Sequence, residues 1–452
     1  MKINFVAGGV CAPKGFMASA SLCRIKENRK GFDTALIVSE NVCTAAGAFT
    51  KNHVKAAPVL VSQKKLQNGF AKAIIVNSGN ANACTGNEGI ENAHRMTSEV
   101  ANALHIDADQ VLVASTGVIG VQLPIEKISN HIAELTQNLS KENHQKARLA
   151  IMTTDTHYKE CALVFELDGK KIRIGAMCKG SGMIHINMGT MLSFITTDCA
   201  ITSELLQAAL LESVDASYNC VSVDRDTSTN DSVFILANGK AANETIREKN
   251  NDYKTFVRAL TALNIVMAKK IASDGEGATR LIECKVHGAR DIASARKLAK
   301  SVISSNLVKA AFFGKDANWG RILCALGYSE VDFTIEKTSV SFASDKNAKR
   351  FFEGDESENA LLQKTMQENV LYENETNERS IEKKDEQQNA IERIEVFKNG
   401  IPLHFDETKA KNILSSECVL IDVAMNDGNA TGFAWGCDLT YDYVKINGDY
   451  RT

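Results

Sequence analysis

Between Lys179 and Asp198 the chain reads KGSGMIHINMGTMLSFITTD, and the bond between Gly189 and Thr190 is where the residue types suit a nucleophile made by cutting the chain. A threonine hydroxyl has no acidity near neutral pH and needs an adjacent base. An α-amino group released by cleavage just in front of it titrates near ~8 and can serve. Gly189 has no Cβ and tolerates strained dihedrals, which leaves the scissile carbonyl open to attack by Thr190 Oγ. The same residues also read as plain structure, because threonine is common in strands and Met188, Met191, Leu192, Phe194 and Ile195 suit a buried strand.

Acyl transfer passes through a tetrahedral oxyanion, best stabilised by donors already fixed in place. Thr116-Gly117, in QVLVASTGVIG (110–120), offers a hydroxyl and a backbone N–H freed by glycine; without wider context such a turn after a strand is usually only a turn. Glu276 lies between two glycines in DGEGATR (274–280), at a helix C-terminus where the dipole disfavours a carboxylate. A residue placed against local preference is a functional hint, with a solvated loop acid as the alternative.

KGSGMIHINMGTMLSFITTD resembles the self-cleavage segment of the ornithine acetyltransferase family, the glutamate N-acetyltransferases of arginine biosynthesis, whose usual form is close to KGSGMIxPNMATMLxFITTD. Ile186 stands where the family has proline, and Gly189 where it usually has alanine. DRDTSTND (224–231) resembles the family's VDGDxSTND, with Arg225 in place of a glycine, so a side chain stands where the backbone needs positive φ. NSGNANA (77–83), MTTDT (152–156), DGEGATR, DANWGR (316–321) and the end, AWGCDLTYDYVKINGDYRT, are similar to further family stretches.

The resemblance implies a site residue by residue. Thr190 is the nucleophile, cleavage falls between Gly189 and Thr190, and Thr116 and Gly117 form the oxyanion hole. Thr156, Lys179, Thr190, Glu276, Asn447 and Thr452 contact substrate, with Thr156 favoured over Thr154. The Lys179 ammonium would pair with a carboxylate or support developing charge, and Glu276 would bind the amine of ornithine. The implied reaction moves acetyl from N2-acetyl-L-ornithine to L-glutamate without a cofactor, by ping-pong transfer on Thr190. The implied assembly is α2β2, from an α chain of 1–189 and a β chain of 190–452. Acetyl-CoA as a second donor is left open. An aminopeptidase or amidase on the same scaffold, and an inactive assembly subunit, are the alternatives.

Composition fits this. The 452 residues are 44% hydrophobic and 24% charged, ordinary for a globular protein of two or three packed units. No apolar run approaches the ~20 residues needed to cross a bilayer, and MKINFVAGGVCAPKGF has neither an h-region nor an arginine-rich amphipathic character, so a cytoplasmic location is expected. Twelve cysteines without CxxC or CxH spacing, and nine histidines without HExxH or HxH, suggest no metal site. The net charge of −3 is uneven: 353–386 holds 11 Asp+Glu against 4 Lys+Arg, leaving 48 Lys+Arg against 44 Asp+Glu elsewhere. Neither balance suggests a nucleic-acid surface.

The elements that must position these residues are read as follows. FDTALIVSE (32–40), AAPVLVS (56–62) and AKAIIVNSGNANA (71–83) are expected as strands, 87–104 as a helix, and 110–120 as a strand opening into a turn. Residues 125–151 are expected to be helical behind Pro124, and 161–177 a hairpin turning at Asp168-Gly169. Ser203 is expected to cap a helix through Ala216, followed by a long helix over 250–273. From Leu281 the pattern is strand, helix from Asp291, then strand at LVKAAFFG (307–314). The resemblance implies an α/β sandwich of the N-terminal-nucleophile type over 1–280 and a smaller α/β domain over 281–452. A charged, disordered or loosely helical insertion at about 347–390, between two strands, is expected to have no catalytic role.

Overall fold

The structure is a computed structural model that describes residues 3–185, 191–345, 348–350 and 391–449. The described residues divide into two compact units, one within 3–219 and 226–267, the other within 220–225, 268–350 and 391–449.

In the first unit the strands are β1 (Asn4–Phe5), β2 (Phe16–Ser21), β3 (Thr34–Phe49), β4 (Phe70–Asn80), β5 (Val111–Val118), β6 (Lys159–Leu167), β7 (Lys170–Lys179) and β8 (Leu192–Thr197). After β9 (Val221–Ser222), which belongs to the second unit, comes β10 (Ser232–Ala237). They form a nine-stranded sheet in the order β1-β6-β7-β8-β10-β3-β4-β5, with β2 also on β3.

The alternation of side chains explains how one sheet makes two layers. The first part of β3 pairs with β2 and β4, and 44–49 pairs with β10. The register with β4 slips between Val38 and Cys43, around the exposed residues 40–42. A long strand that slips register in this way can pass from one sheet layer to the next. Ala35, Ile37, Ile74, Val76, Leu112 and Ala114 then share one core with Leu192, Phe194, Phe234 and Leu236 of the other layer. Their alternates Leu36, Val38, Ile75 and Val113 face α1 (Ala57–Lys65) and α2 (Gly86–Leu104) through Val61, Ala93, Met96 and Val100.

Residues 125–151 are not continuous helix. They form α3 (Ile125–Ser129), α4 (Ile132–Gln137) and α5 (His144–Ala150), because turns interrupt the hydrogen-bond ladder. On the second layer, α6 (Ser203–Ala216) is tied to β3 by the Gln207 amide, which accepts from Gly47 N and donates to Gly47 O, each at 3.1 Å. Thr202, not Ser203, holds the cap position of α6. The division between units falls inside α7 (Asn251–Ser273), whose Asn264 Nδ2 donates to Ser213 Oγ of α6 at 2.7 Å. Helices therefore cover both outer faces, giving the layered α/β sandwich.

The AAPVLVS segment, expected as a strand, is α1. Pro58 sits in its first turn, where the missing N–H is harmless, and Ser62 Oγ donates to Val113 O (2.7 Å) while accepting from Val113 N (2.9 Å). Packing on β5 outweighs the β preference of Val59 and Val61. The β6–β7 hairpin turns where expected, with Asp168 at φ 44° and Gly169 at φ 71°, the left-handed pair of a two-residue loop.

The second unit is a seven-stranded sheet in the order β14-β13-β12-β15-β11-β16-β9. Its strands are β11 (Leu281–Ala289), β12 (Ser339–Asp345), β13 (Ile391–Lys398), β14 (Ile401–Pro402), β15 (Cys418–Ala424) and β16 (Ala430–Cys437), with β9. Asp291 caps α8 (Ile292–Ser304) by accepting from Ser294 N at 2.7 Å, and Ala295, Leu298, Ala299, Val302 and Ile303 are its buried face. A Cβ on Gly432 of β16 would fall 2.6 Å from Arg296 N, so glycine lets helix and sheet approach.

Residues 307–314, expected as a strand, lie in α9 (Asn306–Gly314). Ser305 caps it, and Val308, Ala311 and Phe312 recur at helical spacing on the buried side. DANWGR starts α10 (Trp319–Gly327), with Asn318 Oδ1 accepting from Arg321 N at 3.1 Å. The last helices are α11 (Glu407–Leu414) and α12 (Tyr441–Gly448). β12 and β13 are antiparallel neighbours, with Asp345 opposite Ile391, so the acidic insertion joins two adjacent strands. Most of 347–390 lies outside the described residues. No helix among the described residues is long and apolar enough to cross a membrane. All twelve cysteines are free, and burial pushes thiols such as Cys11 and Cys43 up to about 12.

Candidate active site

β8 enters the sheet between β7 and β10. Leu192 stands opposite Lys179 on one side and Ser232 on the other, and Ser232 N donates to Met191 O at 3.1 Å. The backbone at the head of β8 is thereby fixed on both flanks. Ile186, Gly189 and Thr190 lie outside the described residues. At the far end of the same strand, Asp198 accepts from Arg173 N (2.7 Å) and Lys14 N (3.2 Å), which accounts for the acid that closes FITTD.

Thr116 and Gly117 end β5 beside Ser78 and Gly79 of β4. Gly117 has φ 133°, and a Cβ there would lie 2.3 Å from Gly79 C and 2.5 Å from Asn80 N. Only glycine fits. Thr116 is half-buried and its hydroxyl makes no hydrogen bond among the described residues, which leaves it available as a donor.

Asn230 ties this strand end to the start of β10, the strand whose Ser232 N donates to Met191 O. Its buried Nδ2 donates to Ala81 O (2.6 Å) and Ser115 O (2.8 Å), and it lies two positions before Ser232. The sequence marks Asn230 only as part of STND, because its partners Ala81 and Ser115 lie more than a hundred positions away in the chain. The NSGNANA amides are spent on β5, on the chain that follows it and on α2. Asn77 Oδ1 accepts from Ser115 Oγ (2.6 Å), Asn80 Nδ2 donates to Val121 O (3.1 Å), and Asn82 Nδ2 donates to Gly89 O (2.8 Å). This stretch frames the end of β5 at Thr116-Gly117.

Lys179 is brought to an acid that the sequence had not singled out. Asp155 has no exposed side chain; its Oδ1 accepts from Lys159 Nζ and from Gly180 N, each at 2.7 Å, and its Oδ2 accepts from Thr153 N at 3.0 Å. Lys179 Nζ lies 3.9 Å from Asp155 Oδ2. Burial alone would raise the Asp155 carboxyl, but the Lys159 and Lys179 ammonium groups outweigh it and hold it below the ordinary carboxylate range. The neighbouring Thr156 is exposed, with Oγ1 2.9 Å from His157 Nδ1.

In the second unit, Glu276 and Asn447 meet: Asn447 Nδ2 donates to Glu276 Oε2 at 2.7 Å and to Tyr443 O at 3.0 Å. The glycines around Glu276 are required by crowding. A Cβ on Gly275 would sit 2.6 Å from Cys437 Sγ, and one on Gly277 (φ 69°) 2.7 Å from Tyr443 N. Asp438 accepts from Thr279 N (2.8 Å) and Arg280 N (3.0 Å), which fixes the rest of DGEGATR to the start of the tail. Thr452 lies outside the described residues. Arg225 adopts φ 73°, the left-handed conformation expected where the family pattern has glycine. Among the described residues no cluster of three or more His, Cys, Asp or Glu side chains is placed to hold a metal ion.

The ArgJ family profile matches residues 17–382 and 374–452. Arginine biosynthesis bifunctional protein ArgJ 1 of Clostridium acetobutylicum is 48% identical over 437 residues, 97% of this chain and 96% of that protein. Among solved structures, arginine biosynthesis bifunctional protein ArgJ of Bacillus halodurans is 38% identical, covering 57% of this chain and 99% of that one at a TM-score of 0.45. Ornithine acetyltransferase of Mycobacterium tuberculosis, complexed with ornithine, is 37% identical, covering 40% of this chain and 97% of that one at a TM-score of 0.38.

Proposed function

The chain belongs to the ArgJ family and is an N-acetyltransferase of arginine biosynthesis; from that premise we propose that Thr190 Oγ carries acetyl from N2-acetyl-L-ornithine to L-glutamate. The observation that carries this reading is the junction at Asn230, which joins the Thr116-Gly117 strand end to the start of β10, whose Ser232 N donates to the carbonyl of Met191, the residue after Thr190.

Maturation comes first. Thr190 Oγ attacks the Gly189 carbonyl carbon, the peptide C–N bond breaks, and an ester to Oγ replaces it. Water hydrolyses that ester, leaving a Gly189 carboxylate and a free Thr190 amine and hydroxyl. In turnover the amine takes the hydroxyl proton as Oγ attacks the acetyl carbonyl. The oxyanion is held by the Thr116 hydroxyl and the Gly117 N–H, with Gly117 opened by its φ of 133°. Ornithine leaves with the returned proton. The glutamate amine then attacks the acetyl ester, and Thr190 regains its hydroxyl proton.

Lys179 receives a substrate carboxylate, Thr156 contacts the amino-acid backbone, and Glu276, held by Asn447, takes the amine of ornithine. Thr452 completes this set. Chains 1–189 and 190–452 assemble as α2β2 in the cytoplasm, and acetyl-CoA is a candidate second donor. Intact mass spectrometry tests the reading: it expects fragments beginning at Thr190 and, after N2-acetyl-L-ornithine, an acetyl adduct on the Thr190 fragment that glutamate removes as N-acetylglutamate. An uncut yet fully active chain, or acetyl delivered only to water, would overturn it.

A further inference from the structure

We propose that Asp155 is a positioning residue that, with Lys159 as its second cation, sets the Lys179 ammonium to receive the carboxylate of the incoming amino acid; this rests on the acetyl-transfer reading above. Asp155 touches no reacting atom in this scheme. Its side chain is fully buried, and three short hydrogen bonds already occupy its oxygens: Lys159 Nζ and Gly180 N at 2.7 Å on Oδ1, and Thr153 N at 3.0 Å on Oδ2. Lys179 stands apart from these. At 3.9 Å from Oδ2 it is too distant for a hydrogen bond but close enough for a strong charge–charge attraction in a site shielded from water.

The result is an ammonium whose place is fixed and whose donors are unspent. Lys179 is 8% exposed, and its Nζ makes no hydrogen bond among the described residues. A buried cation of this kind favours an anion that can accept from it. Two lysines share the single Asp155 carboxylate, so the attraction that holds Lys179 does not use up its hydrogen-bonding capacity. The register places Lys179 opposite Leu192, two residues beyond Thr190. Asp155 also fastens two loops at once, through Thr153 N and Gly180 N, so one carboxylate sets both the approach to Thr156 and the start of the glycine-rich turn. Arg29 also lies within electrostatic reach of Asp155, and its guanidinium donates to the carbonyls of Phe32 and Met152.

The test uses the full chain after self-cleavage, with active sites counted by the acetyl adduct formed with N2-acetyl-L-ornithine. Asp155→Asn keeps the shape and removes the charge. The expected result per active site is a glutamate KM raised about tenfold, the scale of one charge-assisted contact, with kcat changed far less. The sign of the pH response separates this from simple damage. Removing a carboxylate beside an ammonium favours its neutral form, and removing a second ammonium favours its charged form. The alkaline loss of glutamate affinity should therefore move to lower pH in Asp155→Asn and to higher pH in Lys159→Gln. Unchanged KM and pH profiles, or a shift of the same sign in both, overturn the proposal. If Asp155→Asn does not mature, Lys159→Gln decides alone by the same upward shift. A wild-type protein that forms no acetyl adduct defeats the acetyl-carrier reading itself, whereas a normal adduct with unresponsive variants defeats only the role of Asp155.

Discussion

The side-chain amide of Asn230 donates to the carbonyl oxygen of Ser115 at 2.8 Å, joining two strand ends 115 positions apart in the chain. Ser115 precedes Thr116, and Asn230 stands two residues before the strand partner of Leu192. Asn230→Ala would leave the carbonyls of Ala81 and Ser115 buried without this donor, at about 1–3 kcal/mol. We expect a lower denaturant midpoint and at least a tenfold loss of kcat in whatever fraction matures. A midpoint shift with normal turnover per active site would confine Asn230 to stability.

Thr116 offers the opposite signature. Since its hydroxyl makes no hydrogen bond among the described residues, Thr116→Ala should leave the melting temperature unchanged while kcat falls by about 10²–10³, the range for one oxyanion donor. Thr116→Ser should recover most of the rate. Equal kcat in wild type and the alanine variant would remove Thr116 from the oxyanion hole.

Gly117→Ala meets the Gly79 backbone at 2.3 Å from a φ of 133°. Strain of that kind displaces the strand end itself. The expected outcome is a protein that stays uncut on a denaturing gel or is cut only slowly. Cleavage at the wild-type rate would contradict it.

Arg225 can be tested through stability alone. A non-glycine residue at φ 73° costs roughly 1–2 kcal/mol against the right-handed region, and glycine avoids that penalty. Arg225→Gly should therefore raise the unfolding midpoint, with a gain in unfolding free energy of about 1 kcal/mol less the extra freedom glycine brings to the unfolded chain. A lower midpoint would mean that the arginine side chain contributes more than its backbone strain removes.

Glu276 and Asn447 should act as a pair. Glu276→Gln removes the charge and retains a side chain that Asn447 can still reach, so the KM for N2-acetyl-L-ornithine is expected to rise by tenfold or more with the fold intact. An unchanged KM would leave Glu276 as a structural acid of its loop.

Much of this was legible from residue order, and the exceptions share a cause. The buried face of α8, the Asp168-Gly169 turn and the positive φ at Arg225 follow from local spacing or from a glycine-bearing pattern. The segments at 57–65 and 306–314 did not, because valine and phenylalanine favour strands locally, and only contacts such as Ser62 with Val113 decide for helix. At the candidate site, Thr116-Gly117 alone reads as a turn after a strand, and only the family pattern marks it. Asn230 and Asp155 act through partners remote in the chain, such as Ser115 and Lys179, and nothing in their immediate neighbours reveals it.

The pairing of Asp345 with Ile391 means that the polypeptide departs from its sheet and rejoins it at one doorway. Whatever is threaded between those two posts adds little closure entropy per added residue, since that penalty grows only as the logarithm of length. The doorway thus tolerates changes of length in the connection between its posts while the sheet stays as it was.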